Sequence, residues 1–222
     1  MVNVPIVADA KAALTEMDAH TSRCKTDDWI ADIMKWKEEI PITMKNYEGM
    51  TPEDIINGIN EIFPDATVTT DVGQNQLWTT QYLAMNGKRK FLTSGGLGTM
   101  GYGLGAAIGA QIGSGDKTVL ITGDGSFGMN LNEMATAVSY NVPLVIIIAN
   151  NGVLGMVRQW QNLFYGQRYS MTDLCSGAAT RRGEDRPVQV RFRLRRRLHQ
   201  DLHRLQQGRR HLRRCGAVCQ AH

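Results

Sequence analysis

Apolar positions along this chain fall into two periods. In "DDWIADIMKWKEE", residues 27–39, Trp29, Ile30, Ile33, Met34 and Trp36 recur at helical spacing, which predicts an amphipathic helix. A second helix is predicted from Thr51, a good N-cap, with Pro52 at the first helical position and Asp54 three residues after the cap; Pro64 closes it. "GGLGTMGYGLGAAIGAQIG" predicts a glycine-rich approach to a small-residue helix, and "NLNEMATAVSYN" a further helix from about Asn130. Between them stand short β-branched or wholly apolar runs, "ATVTTDVG", "KFLTS", "KTVLITG" and "LVIIIAN", which predict strands. The last has no polar alternation, the mark of a strand covered on both faces. Residues 1–25 read as the end of a preceding unit, with a short strand at Val4–Ala8. Strands alternating with helices predict an α/β fold, a parallel sheet with flanking helices and right-handed crossovers.

In such sheets ligands bind outside the carboxyl ends of the strands. Four predicted strand ends carry small or polar residues: Gly73-Gln74-Asn75, Ser94-Gly95-Gly96, Gly123-Asp124-Gly125 and Asn150-Asn151-Gly152. Together they offer one carboxylate, several amides and many backbone N–H groups, which suits a hard cation with a phosphate. Mg²⁺ takes oxygen ligands in an octahedron, commonly one carboxylate with amides, carbonyls, water and phosphate. Asp124 would supply the charge and an Asn after the next strand a neutral oxygen. Glycines let the backbone approach phosphate, and the predicted helix near Asn130 would point its N-terminus at the anion. Singly, Asp-Gly and Asn-Asn-Gly are turn signals. As a pair they say more. Asp124 and Asn151 stand 27 residues apart with one helix and one strand between them, a single βαβ step that places both at the same edge of adjacent strands.

The 222 residues are 42% hydrophobic, enough for a core. No stretch reaches the roughly 18 apolar residues of a membrane span, and the start lacks a basic and apolar leader pattern. Four cysteines in a chain this long do not make a disulfide framework, so a reducing cytoplasmic setting is expected.

These motifs carry a resemblance. "GDGSF" followed about 25 residues later by "NN" resembles the signature of thiamine diphosphate enzymes. "DVGQNQLW", "FLTSGGLGTMGYGLGAAIGA", "GDGSFGMNLNEMATAV" and "ANNGVLGMVRQWQNLFYGQRYS" resemble the C-terminal cofactor domain of the acetolactate synthase large subunit. The resemblance implies three parts: residues 1–47 as a remnant of a middle domain plus a linker helix, 48–175 as part of a thiamine diphosphate- and Mg²⁺-binding domain, and 176–222 as an unrelated tail. It implies Asp124, the Asn151 side chain and the Val153 carbonyl as Mg²⁺ ligands. Gly73, Gln74 and Asn75 would hold the diphosphate, with Asn75 donating to phosphate where the family commonly has His. Gly123, Gly125 and Ser126 would lie along the diphosphate, and Met100 would be the wedge under the cofactor. Gly98, Gly155 and Met156 would line the aminopyrimidine, and Trp160, beside Met156, the pocket of the second keto acid. Read on residue type alone, Met100 is core packing and Trp160 a buried aromatic.

The implied reaction is a decarboxylative condensation of pyruvate with pyruvate or 2-ketobutyrate, a step of branched-chain amino-acid biosynthesis. The implied setting is a homodimer or tetramer with FAD and a small regulatory subunit. The glutamate that activates the cofactor belongs, in that family, to an N-terminal domain of a partner subunit, and no acid here matches it. The chain is therefore expected to be a fragment that is inactive alone. Other thiamine diphosphate-dependent 2-keto acid decarboxylases remain an alternative.

Charge complicates the tail. Residues 176–222 hold thirteen arginines, no lysine and three acids, a net of +10 against −6 for the rest. Such a tail usually suggests a nucleic-acid arm, but Phe192 is its sole aromatic and base stacking would have little to work with. His211, Cys215, Cys219 and His222 have a spacing zinc could use. Arginine without lysine also arises when a GC-rich gene is read out of frame. Read one base later from Gly183, the stretch can encode a segment similar to the family's next helix–strand–helix, so a frameshift is expected there. A last alternative lies in Gly96, Gly98 and Gly101, which match a dinucleotide fingerprint with Asp116 as the ribose acid. Asp116 sits in a turn before a strand, the wrong end for that role.

Overall fold

The computed structural model describes residues 2–44, 49–174 and the backbone of 189–193. The zinc ligands and nearly all of the arginine tail lie outside these residues. The chain divides into two units, residues 1–42 and 43–222.

The first unit holds two helices, α1 (Ala10–His20) and α2 (Asp27–Glu39). The expected strand at Val4–Ala8 is absent, because an isolated strand has no ladder to join. The chain instead enters α1, whose N-cap Asp9 accepts hydrogen bonds from the N–H groups of Lys11 and Ala12. Helix α2 forms as its periodicity predicts, yet buries none of its residues, and Trp29 is 70% exposed.

The second unit is an α/β layer structure. Helix α3 (Pro52–Ile62) starts with a capping box: the Thr51 hydroxyl accepts the Asp54 N–H at 3.2 Å, and the Asp54 carboxylate accepts the Thr51 N–H at 3.0 Å. Strand β1 (Thr67–Thr70) follows, then α4 (Gln74–Tyr82), β2 (Phe91–Leu92), α5 (Tyr102–Ser114), β3 (Thr118–Gly123), α6 (Asp124–Met129), α7 (Met134–Ser139), β4 (Leu144–Asn150), α8 (Gly155–Phe164) and β5 (Gln189–Arg193). Sheet order is β2-β1-β3-β4-β5. The first four strands are parallel, with Thr118–Gly123 set against Leu144–Ala149.

Alternation along the strands splits the core into two layers. Val119, Ile121, Val145 and Ile147 pack with Ile56, Ile59 and Phe63 of the α3 region. Leu120 and Ile146, one residue out of phase, pack with Leu104, Ala107 and Ile108 of α5 and Ala137 of α7. This is the two-sided cover expected of a parallel sheet.

Several elements of this unit differ from the sequence reading, α8 among them, since no predicted element covers it. The predicted helix from Asn130 is broken: α6 starts at Asp124 itself, a 3₁₀ turn spans Leu131–Glu133, and α7 begins only at Met134. Helix α4 was not anticipated, because "QNQLWTTQY" has no apolar stripe. Strand β5 pairs antiparallel with β4, Gln189 opposite Asn150 and Arg193 opposite Ile146, within the stretch read as an unrelated tail. "QVRFR" alternates polar and apolar residues, and that period suffices to pair with the open backbone of an edge strand.

Candidate functional site

Parallel pairing brings the carboxyl ends of β1, β3 and β4 to one edge. After β1 the chain turns through Asp71-Val72-Gly73 into α4, and Gly73 has φ of +135°, a conformation L side chains rarely adopt. After β3 it enters α6 directly, with Gly123 as N-cap and Asp124 as the first helical residue. The first amides of such a turn lack intrahelical acceptors. After β4 come Asn150, Asn151 and Gly152.

A cleft forms where these ends meet. Its lining includes Gly73, Gln74, Asn75, Met100, Gly123, Asp124, Gly125, Ser126, Asn151, Val153, Gly155 and Met156. Of the cofactor-binding residues expected from the sequence, Gly98 alone falls outside the lining. It sits in the turn before α5 with φ of +72°. Val72, Trp78, Ala149, Leu154 and Val157 also line the cleft and were not anticipated. Apolar residues at the root of a turn carry no chemical signal in a sequence.

Asp124 and Asn151 are tied into one loop. The Gly152 N–H donates to Asp124 Oδ2 at 3.0 Å, and the Val153 N–H to Asn151 Oδ1 at 3.1 Å. The segment after α8 braces that loop from outside. Leu154 N–H donates to the Thr172 carbonyl at 2.8 Å and Leu174 N–H to the Gly152 carbonyl at 2.9 Å, which leaves the Val153 carbonyl out of this small ladder. No group of three His, Cys, Asp or Glu side chains suited to a metal exists among the described residues. A single carboxylate with amide and carbonyl oxygens is a donor set for a hard cation that shares its shell with phosphate and water.

Two side chains expected near the diphosphate are hydrogen-bonded to neighbouring backbone. Asn75 is buried, and its Nδ2 donates to the carbonyls of Asp71 at 2.9 Å and Ile121 at 3.2 Å, so both amide hydrogens are engaged. The Ser126 hydroxyl donates to the Val72 carbonyl at 2.8 Å. These groups lash the β1 turn to β3 and α6. Gly125 likewise has a packing reason to be glycine: a Cβ there would lie 2.8 Å from Leu154 Cδ2 and 3.2 Å from Leu174 Cδ1.

Gln74 reaches across the cleft, its Nε2 donating to Gln159 Oε1 of α8 at 3.1 Å. Beyond it, α8 and the following loop form an open groove of about 740 Å³ lined by Met156, Val157, Trp160, Gln161, Tyr165, Arg168, Tyr169 and Ser170. Trp160 is 58% exposed, which excludes a buried aromatic, and meets Phe164 edge-on at 5.4 Å. Met156 and Val157 belong to both cavities, so the groove continues the cleft. Met100, partly exposed, lines the cleft and is no core filler. The dinucleotide alternative has no support: Asp116 is held at 2.7 Å by Lys90 before β3, at the far end of the strands, and that contact keeps its carboxyl below the usual range.

Fold and site define a parallel α/β domain that presents one carboxylate, amides and backbone N–H groups at its strand ends, a binder of a phosphate-bearing cofactor. Residues 71–184 match the family described as thiamine pyrophosphate enzyme, C-terminal TPP binding domain, and the chain belongs to that family. It is 41% identical over 181 residues to the acetolactate synthase large subunit of Parasynechococcus marenigrum (strain WH8102), covering 79% of this chain and 29% of that protein. It is 45% identical over 184 residues to an acetolactate synthase of Arthrospira platensis, covering 79% and 31%. With the large subunit of Cyanidium caldarium identity is 42% over 181 residues, covering 78% and 31%. The chain thus spans under a third of the length of these relatives.

A Cβ on Gly155 would overlap the Gln74 carboxamide and lie 2.8 Å from Asn151 Nδ2. Gly155→Ala is therefore expected to weaken thiamine diphosphate binding about tenfold, or 1.4 kcal/mol, with little change in thermal unfolding. Titration calorimetry in magnesium buffer reads the effect. An unchanged Kd would mean that both amide side chains can yield without consequence.

Proposed function

We propose that this chain is the cofactor-binding part of an acetolactate synthase catalytic subunit. That enzyme would condense pyruvate with a second 2-keto acid, pyruvate or 2-ketobutyrate, in branched-chain amino-acid biosynthesis in the cytoplasm. The observation that carries this reading is the meeting of Asp124 and Asn151 at the ends of adjacent parallel strands, in a chain 41–45% identical to acetolactate synthases over most of its length. Thiamine diphosphate, when bound, supplies the electron sink that lets a 2-keto acid lose CO₂.

Asp124 would hold Mg²⁺ together with Asn151 and the Val153 carbonyl. The Gly152 N–H fixes one carboxylate oxygen, and a carboxylate has a second to offer a cation. Backbone groups of Gly73, Gln74, Gly123, Gly125 and Ser126 would receive the diphosphate, with Asn75 holding their turn in place. Met100 would support the bend between the cofactor rings. Gly155 and Met156 would line the aminopyrimidine, and Gly98 would shape that side from its turn. Trp160 would face the second keto acid across the groove that continues the cleft.

Asp124 is the one acid in the described lining of the cleft. We therefore place the acid that assists the aminopyrimidine outside these 222 residues, on a partner subunit of a homodimer or tetramer. FAD and a small regulatory subunit belong to the same reading. The cleft measures about 110 Å³, below the roughly 300–1,000 Å³ that encloses an organic ligand, which supports a site completed by another chain. Residues 1–47 would be the linker side of a middle domain and 48–175 the cofactor domain. We further infer that the tail is read in a shifted frame. The family match ends at residue 184, beside the Gly183 at which the alternative frame begins.

Three experiments test this reading. In a chimaera carrying residues 48–175 in place of the matching segment of the Arthrospira platensis enzyme, pyruvate should yield acetolactate. Asp124→Ala should abolish the activity, and Asn151→Ala should reduce it. A chimaera indifferent to Asp124→Ala would refute the metal assignment. Second, the 222-residue chain alone, given pyruvate, thiamine diphosphate, Mg²⁺ and FAD, should form no acetolactate; turnover would place the activating acid within the chain. Third, resequencing the gene should reveal a base inserted or lost near the Gly183 codon, and an intact frame would sink the frameshift.

A further inference from the structure

Asp71 follows the last residue of β1 and is 1% exposed. Its carboxylate accepts four hydrogen bonds. Oδ1 takes the N–H of Val72 at 2.9 Å and of Gly101 at 2.8 Å; Oδ2 takes the N–H of Gly103 and the hydroxyl of Thr122, each at 3.3 Å. No Lys, Arg or His among the described residues forms an ion pair with it. A buried carboxylate is costly unless its oxygens are satisfied. Here the donors include the first turn of α5, where the helix dipole also favours negative charge.

The main chain of Asp71 is equally committed. Its N–H donates to the Ile121 carbonyl at 2.9 Å, and its carbonyl accepts from Asn75. Two turns of the cleft therefore converge on one residue. The first, Gly73 to Asn75, lies two residues on along the chain. The second carries Met100 and runs through Gly101, whose φ is +89°. Gly101 is held on both sides, by Asp71 through its N–H and by Asn130 Nδ2 through its carbonyl at 3.1 Å. Gly103 admits this contact because a Cβ there would lie 3.0 Å from Asp71 Oδ2 and 2.8 Å from Leu120 Cδ1. Met100 directly precedes Gly101, so this junction sets where its side chain stands in the cleft.

We propose that Asp71 is a positioning residue: through the Gly101 turn it fixes Met100 relative to the diphosphate turn, and so governs how the thiamine part of the cofactor, not the diphosphate, is held. The proposal rests on the cofactor reading above. It separates two ends of one ligand. Asp124 and Asn151 are bonded to the Gly152–Val153 backbone and make no hydrogen bond to Asp71, whereas Met100 directly precedes the Gly101 amide that Asp71 holds.

Calorimetric titration in Mg²⁺ of the chimaera that carries residues 48–175, with two probes, thiamine diphosphate and inorganic pyrophosphate, tests it. Asp71→Ala orphans the Val72, Gly101 and Gly103 amides but keeps the Asp71 carbonyl that Asn75 bonds, so it should raise the Kd for thiamine diphosphate about tenfold, with pyrophosphate affinity held within about twofold. Asp71→Asn keeps Oδ1 on Val72 and Gly101, while Thr122 can turn to accept from its amide. It should restore most of the affinity. Hydrogen exchange in the peptide around Gly101 should quicken in the order unmutated, Asn, Ala. If Asp71→Ala does not fold, Asp71→Asn decides the matter by a smaller loss, about threefold, again confined to thiamine diphosphate. Equal losses for both probes, or none for either, would overturn the role of Asp71. Failure of the unmutated chimaera to bind either probe would instead overturn the cofactor reading.

Discussion

Parallel pairing of β3 with β4 is the constraint on which the rest of the site depends. Because Thr118–Gly123 runs beside Leu144–Ala149 in the same direction, both strands deliver their next residues to one edge. Asp124 and Asn151 then need only a short loop between them, closed by the Gly152 N–H on the Asp124 carboxylate. An antiparallel partner would send one of the two to the far side of the sheet. The register is held by burial on both faces: a slip of one residue would exchange the set Val119, Ile121, Val145 and Ile147 with Leu120 and Ile146.

The turns at that edge are stiff, and polar side chains make them so. Asn75, Ser126 and Asp71 give their hydrogen-bonding groups to neighbouring backbone. The resemblance implied a place along the diphosphate for Asn75 and Ser126, and here their side chains bond neighbouring backbone. What remains for a ligand is the backbone of the turns, the Asp124–Asn151 loop and the apolar walls of Met100, Leu154 and Met156. Such a site holds its shape through bonds made within the protein, which lowers the ordering needed when a ligand arrives. Gly125 shows the same economy: its missing side chain makes room for Leu154 and Leu174.

Both cavities lie on the second unit, and they share a wall in Met156 and Val157. Helix α8 thus has two faces in use, one toward the strand ends through Gln159 and Gln74, the other toward an open groove where Trp160 stands exposed. Trp160 is exposed together with Val157, Leu163 and Phe164 of the same helix.

By itself the sequence determined what is local. The β-branched and apolar runs became strands, Thr51, Pro52 and Asp54 became a helix cap, and the 27-residue interval from Asp124 to Asn151 became one step between adjacent strands. Each depends on neighbours within a turn or on a period repeated over a few residues. The family, too, was legible, because its signature lies in contiguous motifs. Only the tertiary structure decided how polar groups are spent. Asn75 meets Ile121 across 46 residues and Ser126 meets Val72 across 54. Asp71 gathers Gly101, Gly103 and Thr122 from two other segments. It also decided that α6 begins at Asp124, that α4 forms without an apolar stripe, and that β5 runs antiparallel. A side chain's type states what it can bond, but its partner is whatever the fold brings within about 3 Å, and that is set by packing between segments far apart in the chain.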